Sequence, residues 1–477
     1  MRLQFERREG PMLLRITLLA LILSALPLAA ADGDDGEKKE EPAKFIFGSY
    51  GRVQPSTDLE GGSGRHTNIV SHGSRLEQPT YLELDLVYDF ANKPDETDFH
   101  LVTTLAFGES LFHDTGVFAA LSTIRNLFIR AEGVGYKPLS LWAGSRMYRG
   151  DDIYLLDLWP LDDVNIYGAG AGLRYTDTEV DIHFGLNRLE TDWQVQKREV
   201  PSDTFGTETV EWMDRQRIIV GAKATQYFLR KENSDFALKA KLFAEMQSIG
   251  SGTRISERSV NAATEEDRVT YPADIGWSVG AQFGALGLGR NGFAHVMFKY
   301  SGGLAAYGTL TEPFGYDIDR KTTTAQEFLT ALTGNFEFWR MSLMIGSYAR
   351  YFTDADPNRY DNDDGWEFIL AVRPHIHIHD SLAFGAEVSH QLRKPNGIAP
   401  DTAEQTLPMI TKLSLFPIVF KGDSLSYGRP QVRLVYTVSF VNGDARATFP
   451  EGDKRRDRQI QHFLGIGAEW WFNTEYR

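Results

Sequence analysis

His375, His377 and His379 alternate with Ile376 and Ile378, so an extended chain aims three imidazoles at one side, a donor set that can hold a metal. Alternate residues of a strand stand about 6.5–7 Å apart, which is wide for three ligands of one ion unless the strand bends. They read as solvated histidines of the lumen or rim, with no metal and no cofactor. Asp354, Asp356, Asp361, Asp363 and Asp364 form an acidic loop that could attract calcium. They lack the full spacing of a calcium loop and read as a solvated outer segment. The sequence carries no Gly-x-Ser-x-Gly or comparable nucleophile setting. Two other pairs are more telling. Tyr81 with Glu83, and Trp471 with Glu469, are two residues apart, so in a strand each ring shares a face with a carboxylate.

The elements that would position these groups are strands. In 81–88, Leu82, Leu84, Leu86 and Tyr88 share one face while Tyr81, Glu83 and Asp85 share the other. In 432–440, Val432, Leu434, Tyr436, Val438 and Phe440 lie opposite Arg433, Thr437 and Ser439. In 462–472, Leu464, Ile466, Ala468, Trp470 and Phe472 oppose Gly465, Gly467, Glu469 and Trp471. A barrel wall in lipid needs this period: apolar side chains outward, polar ones toward water. Segments of this kind, separated by turn-rich stretches, number roughly eighteen, an even count as bacterial barrels require. They fall at 45–53, 80–90, 99–108, 126–133, 140–148, 169–176, 179–189, 215–229, 236–249, 276–286, 292–302, 326–339, 341–352, 366–378, 381–392, 405–420, 431–441 and 461–472. Short links alternate with long polar ones such as 54–79, 190–214, 251–274 and 353–365. Short turns fit a periplasmic rim and long loops the outside. The expected fold is therefore an all-β transmembrane antiparallel barrel.

Length and composition agree with export. Arg15 precedes an apolar run from Ile16 to Ala31 that closes on Ala29, Ala30 and Ala31, the pattern of a signal peptide cleaved after Ala31. Residues 1–31 are set apart from the fold, and Met12 makes a better start than Met1. An acidic polar segment, 32–44, precedes the barrel at 45–472, and 473–477 form a short extension. The chain has 477 residues, no cysteine and a formal charge of −15. An acidic surface argues against nucleic acid. After the leader no stretch approaches eighteen consecutive apolar residues, so helical membrane spans are not expected. A soluble sandwich or propeller would also alternate, with its apolar face inward. Aromatics crowding strand ends favour the membrane: Phe336, Phe338 and Trp339; Tyr348, Tyr351 and Phe352; Trp470, Trp471 and Phe472.

In order along the chain, several short stretches resemble the maltoporin family of sugar-specific outer-membrane porins. The strongest runs from Leu141-Trp142-Ala143-Gly144-Ser145-Arg146 through Asp151-Asp152-Ile153-Tyr154-Leu155-Leu156-Asp157-Leu158-Trp159 to Gly168-Ala169-Gly170-Ala171-Gly172. It is similar to the family's strand that enters an inward-folded constriction loop and returns through a Gly-Ala-Gly run. Gly48–Arg52, Tyr81–Leu84, Gly365–Pro374, Gly422-Asp423-Ser424 with Arg429-Pro430 and Arg433, and Gly467–Phe472 support it.

The resemblance implies an eighteen-stranded homotrimer in outer-membrane lipid that passes oligosaccharides along aromatic rings and ionisable groups. A pyranose has C–H-rich faces that lie on rings and a hydroxyl rim that needs charged donors and acceptors. Many weak overlapping contacts allow sliding where one tight pocket would trap. Carried over, the aromatic track is Tyr50, Tyr81, Trp159, Trp471, Phe368 and Phe112, and the polar track Arg52, Glu83, Asp152, Asp157, Arg75 and Arg125. Trp159 stands where the family usually has tyrosine. Phe368 shares its parity with Leu370 and Val372 on the lipid face and would need a bulge to turn inward. The 54–79 loop lacks the cysteine pair some relatives place there, and is expected to be more mobile. A general diffusion porin with no sugar site stays open as an alternative, and so, more remotely, does an outer-membrane barrel enzyme.

Overall fold

The computed structural model describes residues 42–92, 96–108, 121–230, 235–255, 268–358, 361–398 and 403–474. Its wall strands are β1 Lys44–Val53, β2 Tyr81–Asp89, β3 Asp98–Gly108, β4 Leu121–Glu132, β5 Leu139–Arg149, β6 Asp163–Arg174, β7 Thr178–Asn187, β8 Arg217–Phe228 and β9 Ala237–Ile249. The second half holds β10 Asp274–Leu286, β11 Arg290–Gly303, β12 Gln326–Phe338, β13 Met341–Thr353, β14 Gly365–His379, β15 Leu382–Pro395, β16 Met409–Phe420, β17 Gln431–Val441 and β18 Ile460–Phe472. The sheet contains nineteen pieces, one of them the two-residue Ser56–Thr57 that prolongs the pairing of β1 with β18. Without it there are eighteen strands, each antiparallel to its neighbour. Closure is direct: Tyr50 pairs with Trp471 and Arg52 with Glu469.

The outward face follows the alternation read from the sequence. In β17, Val432 and Leu434 are about half exposed while Arg433 is 5 % and Val435 0 % exposed. A closed sheet leaves no unpaired edge and satisfies its backbone internally, as a span in hydrocarbon requires. Short links join β6 to β7, β10 to β11, β12 to β13 and β14 to β15 at one rim. The long excursions leave the other rim, and two carry hairpins of their own, Val195–Pro201 with Thr207–Asp214 and Gly252–Ile255 with Arg268–Tyr271.

The interior departs from the expectation in two ways. Loop 54–80, expected outside and mobile, folds into the barrel and is bonded along its length. Ile69 N–H donates to Gln391, Ser71 to Glu367 and Ser74 to Glu387, and Lys412 holds both Asn68 and Glu77. Loop 150–162, expected inward, meets it there. Ile69 and Val70 from the first loop join Ile153, Leu155, Leu156, Leu158 and Leu161 from the second in one buried cluster. Their partners are inward-facing residues of the wall, Met297, Leu329, Ala331, Met344, Ile369 and Ala371. Each such aliphatic side chain removed from water is worth about 1.5–3 kcal/mol, which draws the loops in. This side of the lumen is therefore largely packed, with a chamber of about 300 Å³ left beside Lys299, Glu327 and Arg350.

The girdle reading also needs correction at Trp471, whose ring faces the lumen, and at two further positions. Tyr348 and Phe352 face inward: Tyr348 belongs to the loop core, and Phe352 packs on Tyr307 and Phe314. Only Tyr351 of that trio turns out, with its ring 4.8 Å from Trp366. The parity of β13 fixes this, since 348 and 352 share a face with Met344.

Candidate functional site

The other half of the lumen stays open as a cavity of about 840 Å³. It is lined by the rings of Tyr50, Tyr81, Tyr154, Trp159, Tyr427 and Trp471, by Arg52, Arg75, Arg125 and Arg149, and by Glu83, Asp152, Asp157 and Asp163. The structure thus brings together ten of the residues singled out in the sequence: Tyr50, Tyr81, Trp159, Trp471, Arg52, Arg75, Arg125, Glu83, Asp152 and Asp157.

Adjacent strands supply the first group. Tyr50 of β1 pairs with Glu83 of β2 on one side and Trp471 of β18 on the other, so three inward side chains meet at one level. The Tyr50 and Tyr81 rings stand 6.0 Å apart. Arg125 of β4 donates to the Tyr81 hydroxyl at 2.7 Å and pairs with Glu83, which also accepts from Tyr81.

Arg75 comes from the inward loop, on a single helical turn, Arg75–Glu77, capped by the Ser74 hydroxyl. Its guanidinium reaches Asp157 and Glu469, each at 3.1 Å, and also the Tyr50 hydroxyl. It covers the Tyr154 ring at 4.5 Å and the Tyr50 ring at 5.4 Å, so cation–π contact and ion pairing coincide. Asp157 closes the turn Tyr154–Leu156 in a left-handed conformation, φ 52°, a position that Asp tolerates better than most residues. Burial alone would raise its carboxyl. Arg75, Arg52 and Arg149 outweigh that and hold it below the ordinary carboxylate range. Asp152 goes the other way. Burial, with Asp157 and Asp151 adding to it against Arg75, pushes it up to about 6.

Several contributors were not singled out. Tyr154 lies within the quoted loop motif, and its hydroxyl donates to Glu469 at 3.0 Å. Tyr427 and Arg429 come from turn 421–430, which folds inward because Ser424 donates to Glu337 and Ser426 to Asn335. The quoted Gly422-Asp423-Ser424 run marked that turn without showing its direction. Arg429 covers the Trp471 ring at 4.2 Å, and Arg149 covers the Trp159 ring at 3.7 Å while bonding Asp163 at 2.7 Å. Glu469 gathers Arg75, Arg429 and Arg433. The rings run as a row: Tyr81 to Tyr50, across Arg75 to Tyr154, then Trp471 and Tyr427, with Phe293 stacked on Tyr427 at 6.4 Å.

Phe368 is not part of this row. The register of β14 with β13 and β15 runs unbroken through it, Ala349 and Leu392 standing opposite, so it keeps the outward parity of Trp366 and Leu370. The bulge needed to turn it inward does not form there. Phe112 lies outside the described residues. Two of the three histidines, His375 and His377, are packed rather than solvated. His375 lies edge-on to Phe416 and bonds Ser342, His377 lies edge-on to Phe420, and a register shift after His377 leaves His379 exposed. In the acidic loop, Asp354, Asp356 and Asp361 bring carboxylate oxygens within 4.8 Å of one another. Asp354 is buried, against the expectation of a solvated segment, and burial raises its carboxyl to about 6.

A closed eighteen-stranded barrel, apolar outside and narrowed within by two inward loops that leave a charged channel, defines an outer-membrane porin. A family model described as LamB porin matches residues 45–472, and the chain belongs to that family. The protein therefore resides in the bacterial outer membrane. A curated relative named Maltoporin, from Hahella chejuensis, is 35% identical over 125 residues, 24% of this chain and 28% of the relative, so the match spans less than a third of that protein's length. Among solved structures, the outer membrane channel DcaP of Acinetobacter baumannii has a TM-score of 0.45 at 11% identity, covering 92% of this chain and 99% of its own. OccAB1 of the same species has a TM-score of 0.44 at 10% identity, covering 90% and 96%.

Proposed function

We propose that the channel passes saccharides by passive diffusion, maltodextrin-like or other oligosaccharides, and that the protein works as a homotrimer in outer-membrane lipid. The observation that carries the saccharide reading is the lining of one cavity: six Tyr and Trp rings interleaved with four guanidiniums and four carboxylates. Opposite charges in equal number leave little net attraction for an ion of either sign. They do offer many donors and acceptors to a neutral solute with a hydroxyl rim, while the rings accept its C–H faces. Contacts spread along a row favour passage over trapping. The partial likeness to a maltoporin agrees with this reading, and the trimer rests on resemblance to the family.

The test is single-channel conductance in a planar bilayer, titrated with maltodextrins, sucrose and a non-sugar control of similar size. The expected outcome is concentration-dependent closure by sugar alone. In Trp159→Ala and Trp471→Ala the block should weaken by about two- to tenfold, the worth of one ring contact. Steady conductance indifferent to every sugar would leave a general diffusion porin in its place.

A further inference from the structure

The constriction loop is tied down by residues that line neither the channel nor the smaller chamber of about 300 Å³ on the loop's far side. Asp151, near the start of the loop, receives Lys239 Nζ at 2.7 Å and Lys241 Nζ at 2.8 Å from β9. Asp162, at its end, receives Lys223 Nζ from β8 at 3.1 Å and lies 3.9 Å from Lys241. Lys241 thus bridges the two carboxylates. The loop ends also hold each other, Gly150 N–H donating to the Asp162 carbonyl at 3.1 Å. All of these groups sit inside the barrel, and the Asp162 side chain is 1 % exposed.

We infer that Lys223, Lys239 and Lys241 act as an electrostatic clamp that sets the aperture of the channel. The loop has two other supports besides the clamp, at its tip and at its turn, and the apolar side chains Leu158 and Leu161 of its return limb pack into the same core. Its tip packs Ile153 and Leu155 into the dry core, where Gly346 leaves room for them: a Cβ on Gly346 would lie 2.7 Å from Ile153 Cγ2. Its turn residue Asp157 is held by Arg75 and Arg52. Between tip and base runs the limb that carries Trp159, a residue common to the linings of the channel and the chamber. The clamp at Asp162 anchors the base of this limb and, together with the packing of Leu158 and Leu161, sets how far it stands from the opposite wall. Because Lys239, Lys241 and Asp162 are buried, these ion pairs are screened less than exposed ones would be, and removing one partner would leave the other charge buried and unpaired. The three lysines are therefore positioning residues, acting on the solute path through the loop.

The inference rests on the channel, not on the identity of the solute, so conductance tests it while sugar block tests the saccharide reading separately. Lys239→Gln with Lys241→Gln, and Asp151→Asn alone, should each raise single-channel conductance and add rapid current noise, with the barrel still heat-modifiable on a denaturing gel. Lys241→Arg, which keeps the charge, should leave the wild-type level. Charge exchange gives the decisive readout. Lys239→Asp with Lys241→Asp should lose the steady level, and adding Asp151→Lys should restore it, a rescue that a purely structural effect of the single changes would not produce. If the double lysine variant gives no folded barrel, Asp151→Asn carries the test. Folded variants with unaltered conductance and noise, or no rescue by the exchange, would overturn the clamp.

Discussion

Two halves of one lumen are built from the same strand geometry and end up opposite in character. Beside β1, β2, β4, β5 and β18 the inward positions carry Tyr50, Arg52, Glu83, Arg125, Arg149 and Trp471, and the space in front of them is open. Beside β11 to β14 they carry Met297, Leu329, Ala331, Met344 and Ile369, and the two loops fill most of the space, leaving a chamber of about 300 Å³ beside the ion-paired Lys299, Glu327 and Arg350. The period-two wall places a side chain inward at every second position in either case. What differs is whether that side chain has a loop to bury it or water to solvate it. The porin makes a narrow path by filling part of its lumen with a dry core and leaving the remainder charged.

The largest effect is expected on the dry side. Leu155 is 1 % exposed within the loop core, so Leu155→Ala removes buried methyl groups and leaves a cavity, at a cost of about 2–5 kcal/mol. It should lower the urea midpoint of the folded barrel and make the open current flicker as the loop tip loosens. A steady current with an unchanged midpoint would mean that the dry half does not hold the constriction.

A smaller, pH-dependent effect is expected on the wet side. Asp152 has its carboxyl raised from 3.8 to about 6, chiefly by burial. A raised carboxyl favours its protonated form in the folded protein, so its contribution to stability is full below about 3.8 and is lost as pH rises through about 6. In the channel, lowering pH through this window removes one negative charge, leaving four guanidiniums facing three carboxylates. The reversal potential in a salt gradient should then move toward anion preference, and Asp152→Asn should remove that movement. An equal shift in the variant would assign the titration to another group.

The two halves were not equally legible. Lipid contact forces the outward alternation, so every strand could be found from sequence, with errors confined to ends. The largest was in β6, read as starting at 169 and in fact starting at Asp163. There Val164 and Ile166 turn inward into a buried cluster, and the glycines that follow hide the period. Those glycines have a cause of their own: a Cβ on Gly170 would lie 2.4 Å from Nε1 of the inward Trp142. The candidate site was legible where a ring and a charge share a strand face, as with Tyr81 and Glu83, or where a loop motif resembled a family's. Loop 54–80 hid its inward course because its buried anchors, Ile69, Val70 and Leu76, are few and scattered among polar residues. Turn 421–430 hid Tyr427 because its direction depends on Glu337 and Asn335, far away in sequence.

Phe368 separates the two sources of inference. The resemblance assigned it to the aromatic row, whereas strand parity assigned it to the outside. The structure follows parity, with Ile369 fully buried in the loop core and Phe368 on the opposite face. Phe368→Ala should therefore leave both conductance and sugar block at the wild-type values, with at most a small change in stability from lost packing on the outer wall. Trp471→Ala, measured in the same series, should weaken the block. A weakened block in Phe368→Ala alone would require β14 to slip by one residue in the membrane. A slip of that size would also carry Glu367 out of its bonds to Ser71 and Tyr348, so the same variant should then lose the ordered position of the first inward loop.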